Sequence, residues 1–228
     1  MIYVTGDTHG DLNRFKHALL RGFRKIKKRD TLIICGDFGF IWTGGKEEKR
    51  LLKWLGKRRY DVLFVDGVHE NFDQLEKYEV EEWCGGKTRK ISGKLRHLMR
   101  GQVFEIAEKK VLAFGGGEKD EDDRNISLKC KPTQEDFEQA IQSLQKHNYE
   151  VDYIISYEPP TMITEFLALN KNVSDNLSHY LDEINQKTDY DRWFFGRHHI
   201  DKIIPPKYFA LFNNVISAEY DPLRNNKK

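Results

Sequence analysis

"TLIICGDFGF", Thr31–Phe40, opens on five apolar or β-branched residues and closes on a loop of glycines and an acid. A continuous apolar run of that length marks a strand buried on both faces, as in a parallel sheet. Outward on both sides the pattern continues. Upstream, "DLNRFKHALLRGFRKI" sets Leu12, Phe15, Leu19, Phe23 and Ile26 on one helical stripe, and Ile2–Thr5 before it is a strand. Downstream, "EEKRLLKWLGKR" reads as a helix and Val62–Asp66 as a third buried strand. This βαβαβ order predicts a parallel layer with helices on its faces.

From Lys87 the periodicity changes. "KTRKIS", "LRHLMRG", "QVFEIA" and "KVLAFGGG" read as strands of a meander, with turns at Ser92–Gly93 and Glu108–Lys109. A long polar connection follows. Its acid run, Asp120–Asp123, lacks the alternating ligands and glycine of an EF-hand and reads as a surface loop. Thr133 is placed to cap a helix from Gln134, and "VDYIIS" is another buried strand. After Pro159–Pro160 come one or two helices, the second capped by Ser174. "DRWFFG", "YFALF" and "VISAEY" supply the last strands, and the "NNKK" tail is expected to fray.

The chain has 228 residues, 39% hydrophobic and 32% charged, which suits one globular domain over 1–228. A net charge of +2 gives no whole-chain field for nucleic acid. The basic clusters Arg21–Arg29 and Lys57–Arg59 fall at helix C-termini, where cations suit the dipole. The three cysteines, Cys35, Cys84 and Cys130, form no CxxC pair and read as reduced thiols. There is no signal-like start and no apolar run of membrane-spanning length, so a cytoplasmic protein is expected.

The polar chemistry gathers at strand ends. "VTGDTHGD", "ICGDFGF" and "VDGVHE" each follow a buried strand, and "IISYEPP" and "WFFGRHHID" do so later. In a parallel sheet such loops share one carboxyl edge, where open α/β sheets build their sites. Asp7, His9, Asp37 and His69 can thus converge, Asp7 and His9 side by side if their segment is extended. Carboxylates with imidazoles suit a transition metal such as manganese, iron or zinc better than calcium.

These five loops, with "HLMRGQVFEI" and "FGGG", resemble the calcineurin-like metallophosphoesterases of the compact bacterial or phage type, whose pattern is GDxHG, GDxxx, GNH(D/E), a strand-end His and GHxH. The resemblance implies a four-layer α/β/β/α sandwich of two mixed sheets flanked by helices. It implies a hydrolase, a phosphatase or phosphodiesterase in which a metal-bound water attacks a phosphoester. The first metal, with manganese first among the candidates, would take Asp7, His9 and His199, and Asp37 would bridge to a second. The second metal's own ligands would stand at Val68, Tyr157 and Arg197. Val and Arg offer a metal no lone pair, and Tyr does so only when ionised. Every ligand private to the second metal is therefore replaced, while the first set is intact. His69 keeps the place of the leaving-group acid, and Arg197 with His198 is placed to bind substrate phosphate. The expected partners are a phosphorylated small molecule or nucleotide, with nucleic acid less supported and no membrane. The alternative is an inactive binding module for a phosphorylated ligand or a protein partner.

Overall fold

The computed structural model describes residues 1–16, 26–118, 127–168 and 176–220. The first sheet takes its centre from the expected strands: β1 (Ile2–Thr5), β2 (Thr31–Cys35) and β3 (Asp61–Val65). They run parallel and adjacent, with Leu32 beside Tyr3 on one side and Val62 on the other. β6 (Leu95–Leu98) joins β3 in parallel, and β5 (Gly86–Ser92) and β4 (Val80–Trp83) extend the sheet antiparallel. β13 (Ile216–Ser217) closes the other edge against β1.

The second sheet has the order β11-β12-β10-β9-β8-β7. Its strands are β7 (Gln102–Ile106), β8 (Lys109–Phe114), β9 (Glu150–Ser156), β10 (Asp189–Phe195), β11 (Lys202–Ile204) and β12 (Tyr208–Ala210). The run from Lys87 is therefore not one meander. β5 and β6 pair in the first sheet and β7 and β8 in the second, and the chain crosses between them at Met99–Gly101. Strand alternation reports which face is buried but not which sheet a strand joins.

Side-chain alternation builds the layers. Ile33, Cys35, Leu63 and Val65 face inward and pack with Phe104, Ala113, Ile155 and Phe194 of the second sheet. Leu32, Ile34, Val62 and Phe64 face outward onto Leu52 and Leu55 of α2 (Lys46–Gly56). On the far side, Leu112, Ile154 and Trp193 pack against Phe137 and Leu144 of α4 (Gln134–Lys146), and against Leu181 and Ile184 of α6 (Asn176–Lys187). Helix, sheet, sheet and helix are thus four layers, as expected. Thr133 caps α4 with a full capping box shared with Asp136.

Three short α-helices, α1 (Asn13–Lys16), α3 (Phe72–Leu75) and α5 (Thr161–Ala168), and a 3-10 turn at Leu128–Cys130 complete the described elements. The rest of the helix expected to follow Lys16, the Asp120–Asp123 run, Ser174 and the "NNKK" tail lie outside the described residues. Among the described residues no helix is long and apolar enough to cross a membrane.

Candidate metal centre

The C-terminal ends of β1, β2 and β3 meet those of β9 and β10 along one edge of the sandwich, and the five polar loops close there. Asp7, His9, Asp37 and His199 present ligand atoms that all lie within 4.8 Å of one another. The route differs from expectation at one residue. His9 has φ +45°, so the segment turns instead of running extended. The turn is held by the Thr8 and His9 N–H groups, both donating to the Asp37 carbonyl (3.1 and 2.8 Å).

The four donors fit a cation. His9 Nε2 and His199 Nε2 stand 2.9 Å apart, and imidazole nitrogens approach so closely only around a shared proton or cation. Asp7 Oδ2 is buried without a hydrogen bond, with His199 Nε2 3.1 Å away but not aligned to donate. Burial pushes the Asp7 carboxyl up to about 6, a cost that a bound cation removes. Contact with Asp7 raises His199, and burial lowers His9.

Asp37 is more completely served. Its Oδ1 accepts the His69 N–H (2.7 Å), and its Oδ2 accepts from His69 Nδ1 (2.8 Å) and the Tyr157 hydroxyl (2.9 Å). Burial works to raise its pKa, but these bonds outweigh it and hold the carboxyl below its usual value. Glycine makes the approach feasible: a Cβ on Gly67 would stand 2.2 Å from Asp37 Oδ1, and one on Gly36 (φ +102°) would stand 2.1 Å from the Tyr157 ring.

Of the three positions where the resemblance would place the second metal's ligands, two are packed and one makes polar contacts. Val68 and Tyr157 are buried in the same apolar cluster as Phe38 and Phe64. Burial raises the Tyr157 phenol above its ordinary value, and its hydroxyl donates to Asp37 Oδ2. Arg197 meets one backbone carbonyl and one acid: Nη1 donates to the Glu118 carbonyl (3.0 Å) and stands 3.6 Å from Glu158 Oε1. His198 stays out of the cluster. Its ring meets Phe195 edge-on, its Nε2 is buried without a hydrogen bond, and burial lowers it to about 4.

A sequence profile of the calcineurin-like phosphoesterases matches residues 1–204. The chain belongs to this family. As a calcineurin-like phosphoesterase it carries the two mixed sheets and a carboxylate–imidazole cluster where the family's chemistry is metal-dependent. No curated protein matches the chain significantly. Among solved structures, a protein of unknown function from Aquifex aeolicus is 20% identical, with 69% of this chain and 78% of that one covered at a TM-score of 0.36.

Sequence reasoning passed over two groups in this phosphoesterase. Glu70, the acid after His69, is buried and accepts the Phe38 and Gly39 N–H groups (2.6 and 3.4 Å), which fixes the loop behind Asp37. Burial, then the Asp37 charge, pushes its carboxyl well above the usual range. Tyr157 was legible only as a position where the resemblance expects a ligand, since no pattern announces its bond to Asp37.

Proposed function

We propose that the protein hydrolyses a phosphoester, a monoester or diester of a small molecule or nucleotide, with one divalent metal held by Asp7, His9, Asp37 and His199. The observation that carries the one-metal reading is the Tyr157 hydroxyl 2.9 Å from Asp37 Oδ2, a neutral donor on the carboxylate that would bridge to a second ion. The chemistry such a cation, manganese first, supplies is polarisation of a phosphoryl oxygen and a water acidic enough to attack near neutral pH.

The chain's own groups do the rest. Asp37 is acceptor-only, so the His69 proton on that side sits on Nδ1. That leaves the half-exposed ring's Nε2 edge to hand a proton to the leaving oxygen. Arg197 supplies planar donors for phosphate oxygens once substrate draws it from Glu158. His198 joins it if the ring turns out from Phe195. A second reading, a binding module without turnover, is favoured by the apolar packing of Val68 and Tyr157 where ligands would be.

Metal analysis with hydrolysis of p-nitrophenyl phosphate and its bis-ester separates the readings. One manganese per chain and turnover that falls roughly 10²- to 10⁴-fold in His69→Ala support the enzyme. Two metals per chain overturn the one-metal site. Phosphate binding without hydrolysis, whichever divalent metal is added, leaves the binding module.

A further inference from the structure

His199 is the more exposed imidazole of the cluster, with 48% of its side chain accessible against 35% for His9. Its ring lies nearly parallel to Phe212, with centroids 4.8 Å apart and 28° between planes. Phe212 follows β12 and lies past residue 204, where the family match ends.

Phe212 is gripped from two sides, both times by a group tied to a ligand. Asp201, two residues after His199, accepts the N–H groups of Phe212, Asn213 and Asn214 (2.8, 3.1 and 3.1 Å). The buried Arg14 guanidinium donates to the Phe212 carbonyl and also to the carbonyl of Asp7. Thr5, which accepts from Arg14 at 2.9 Å, donates in turn to the Asn214 carbonyl (2.9 Å). One exposed turn thus has its backbone fixed by Asp201 and Arg14, and its aromatic face laid on the imidazole.

We infer that Phe212 is a positioning residue of the metal centre, a flat backing that keeps His199 Nε2 turned toward Asp7 and His9, with Asp201 and Arg14 holding it in place. This rests on the proposed metal site. Histidine ligands need an outer partner to fix the ring, and losing one typically weakens metal binding by roughly 10- to 100-fold. Among the described residues, the polar contacts of the His199 ring are with His9 and Asp7, both proposed ligands, so ring stacking takes the outer part.

The test is manganese affinity by titration calorimetry, together with the visible spectrum of the cobalt-loaded protein, for wild type, Phe212→Leu, Phe212→Tyr and Asp201→Asn. Phe212→Leu keeps apolar bulk but removes the flat face. It should weaken manganese about 10-fold or more and alter the cobalt spectrum, while the metal-free melting temperature stays near wild type. Phe212→Tyr should restore both, and Asp201→Asn should fall between. A Phe212→Leu protein with wild-type affinity and spectrum overturns the inference alone. So does one that loses affinity only in proportion to lost folding. Wild type that binds no divalent metal overturns the proposed site and this inference with it.

Discussion

Asp37 and Asp66 sit at the ends of neighbouring parallel strands, and both are sealed from solvent, yet they are neutralised in opposite ways. Asp66 carries its cation with it. Arg100 donates to its Oδ2 through Nε and Nη2 (2.9 and 2.6 Å), and His97 Nε2 meets its Oδ1 (2.9 Å). Arg100 then reaches the carbonyls of Lys129, Cys130 and Lys131 and the Asp136 carboxylate, joining the crossover between the sheets to the cap of α4. Burial works to raise Asp66, but Arg100 foremost and then His97 hold it far below the usual range. Asp37 has a tyrosine, a peptide N–H and an imidazole instead, with no arginine or lysine paired to it among the described residues. A buried carboxylate with a permanent counter-charge stabilises the fold; one held by a hydroxyl, a peptide N–H and an imidazole keeps affinity for a cation from outside.

The largest effect should come from breaking the closed pair. Asp66→Asn leaves Arg100 short of its main partner in a buried setting, and urea denaturation should show a loss of about 3–5 kcal/mol. Asp37→Asn should move the metal-free stability by only about 1–2 kcal/mol, since it trades charge-assisted bonds for relief of burial, and it should abolish the rise in melting temperature that manganese gives wild type. Equal destabilisation by the two would erase the contrast.

The pair also predicts a pH signature. The folded pKa of Asp66 is depressed, so its contribution is fully present above the unfolded value of about 4 and is lost as pH falls toward the folded one. The stability gap between wild type and Asp66→Asn should stay flat from pH 7 to about 5 and narrow below about 4. A gap that narrows between pH 7 and 5 would overturn the assignment to Asp66.

The next test gives Asp37 a second outside cation. Val68→Asn, Tyr157→His and Arg197→His together should raise metal content from one to two equivalents, with a gain in phosphoester hydrolysis. A folded triple mutant that holds one metal would mean the loops have shifted from the family course. The smallest change is Tyr157→Phe, which keeps the packed ring and removes one hydrogen bond. It should cost about 1 kcal/mol and leave metal content at one. Should it gain a second metal, the hydroxyl alone was the excluding group.

The frame and the candidate ligand cluster were legible in the sequence for the same reason: apolar runs such as Thr31–Cys35 end on glycine and acid, and parallel pairing puts such ends on one edge. The α2 helix and the Thr133 cap were equally plain. Short edge strands were not. β4 and β11 carry no apolar run, and their place is set by partners distant in sequence. The contacts of Arg197 with Glu118 and Glu158, and of Phe212 with His199, depend on side-chain direction, which spacing does not encode.

His9, Asp37, Arg197 and His199 all adopt left-handed backbone conformations, with φ between 40° and 60°. Each such conformation costs roughly 1 kcal/mol or more for a side chain of that kind, and glycine and asparagine accept it most readily. Random substitution at these positions therefore meets an unusual bias. The replacements the backbone tolerates best are glycine and asparagine, which delete a charge or an imidazole, so the proposed ligands are more easily lost here than foldedness. A lineage carrying this loop geometry has a downhill route to intact proteins with silent sites, and a library built on the scaffold should return many well-expressed variants that bind no metal.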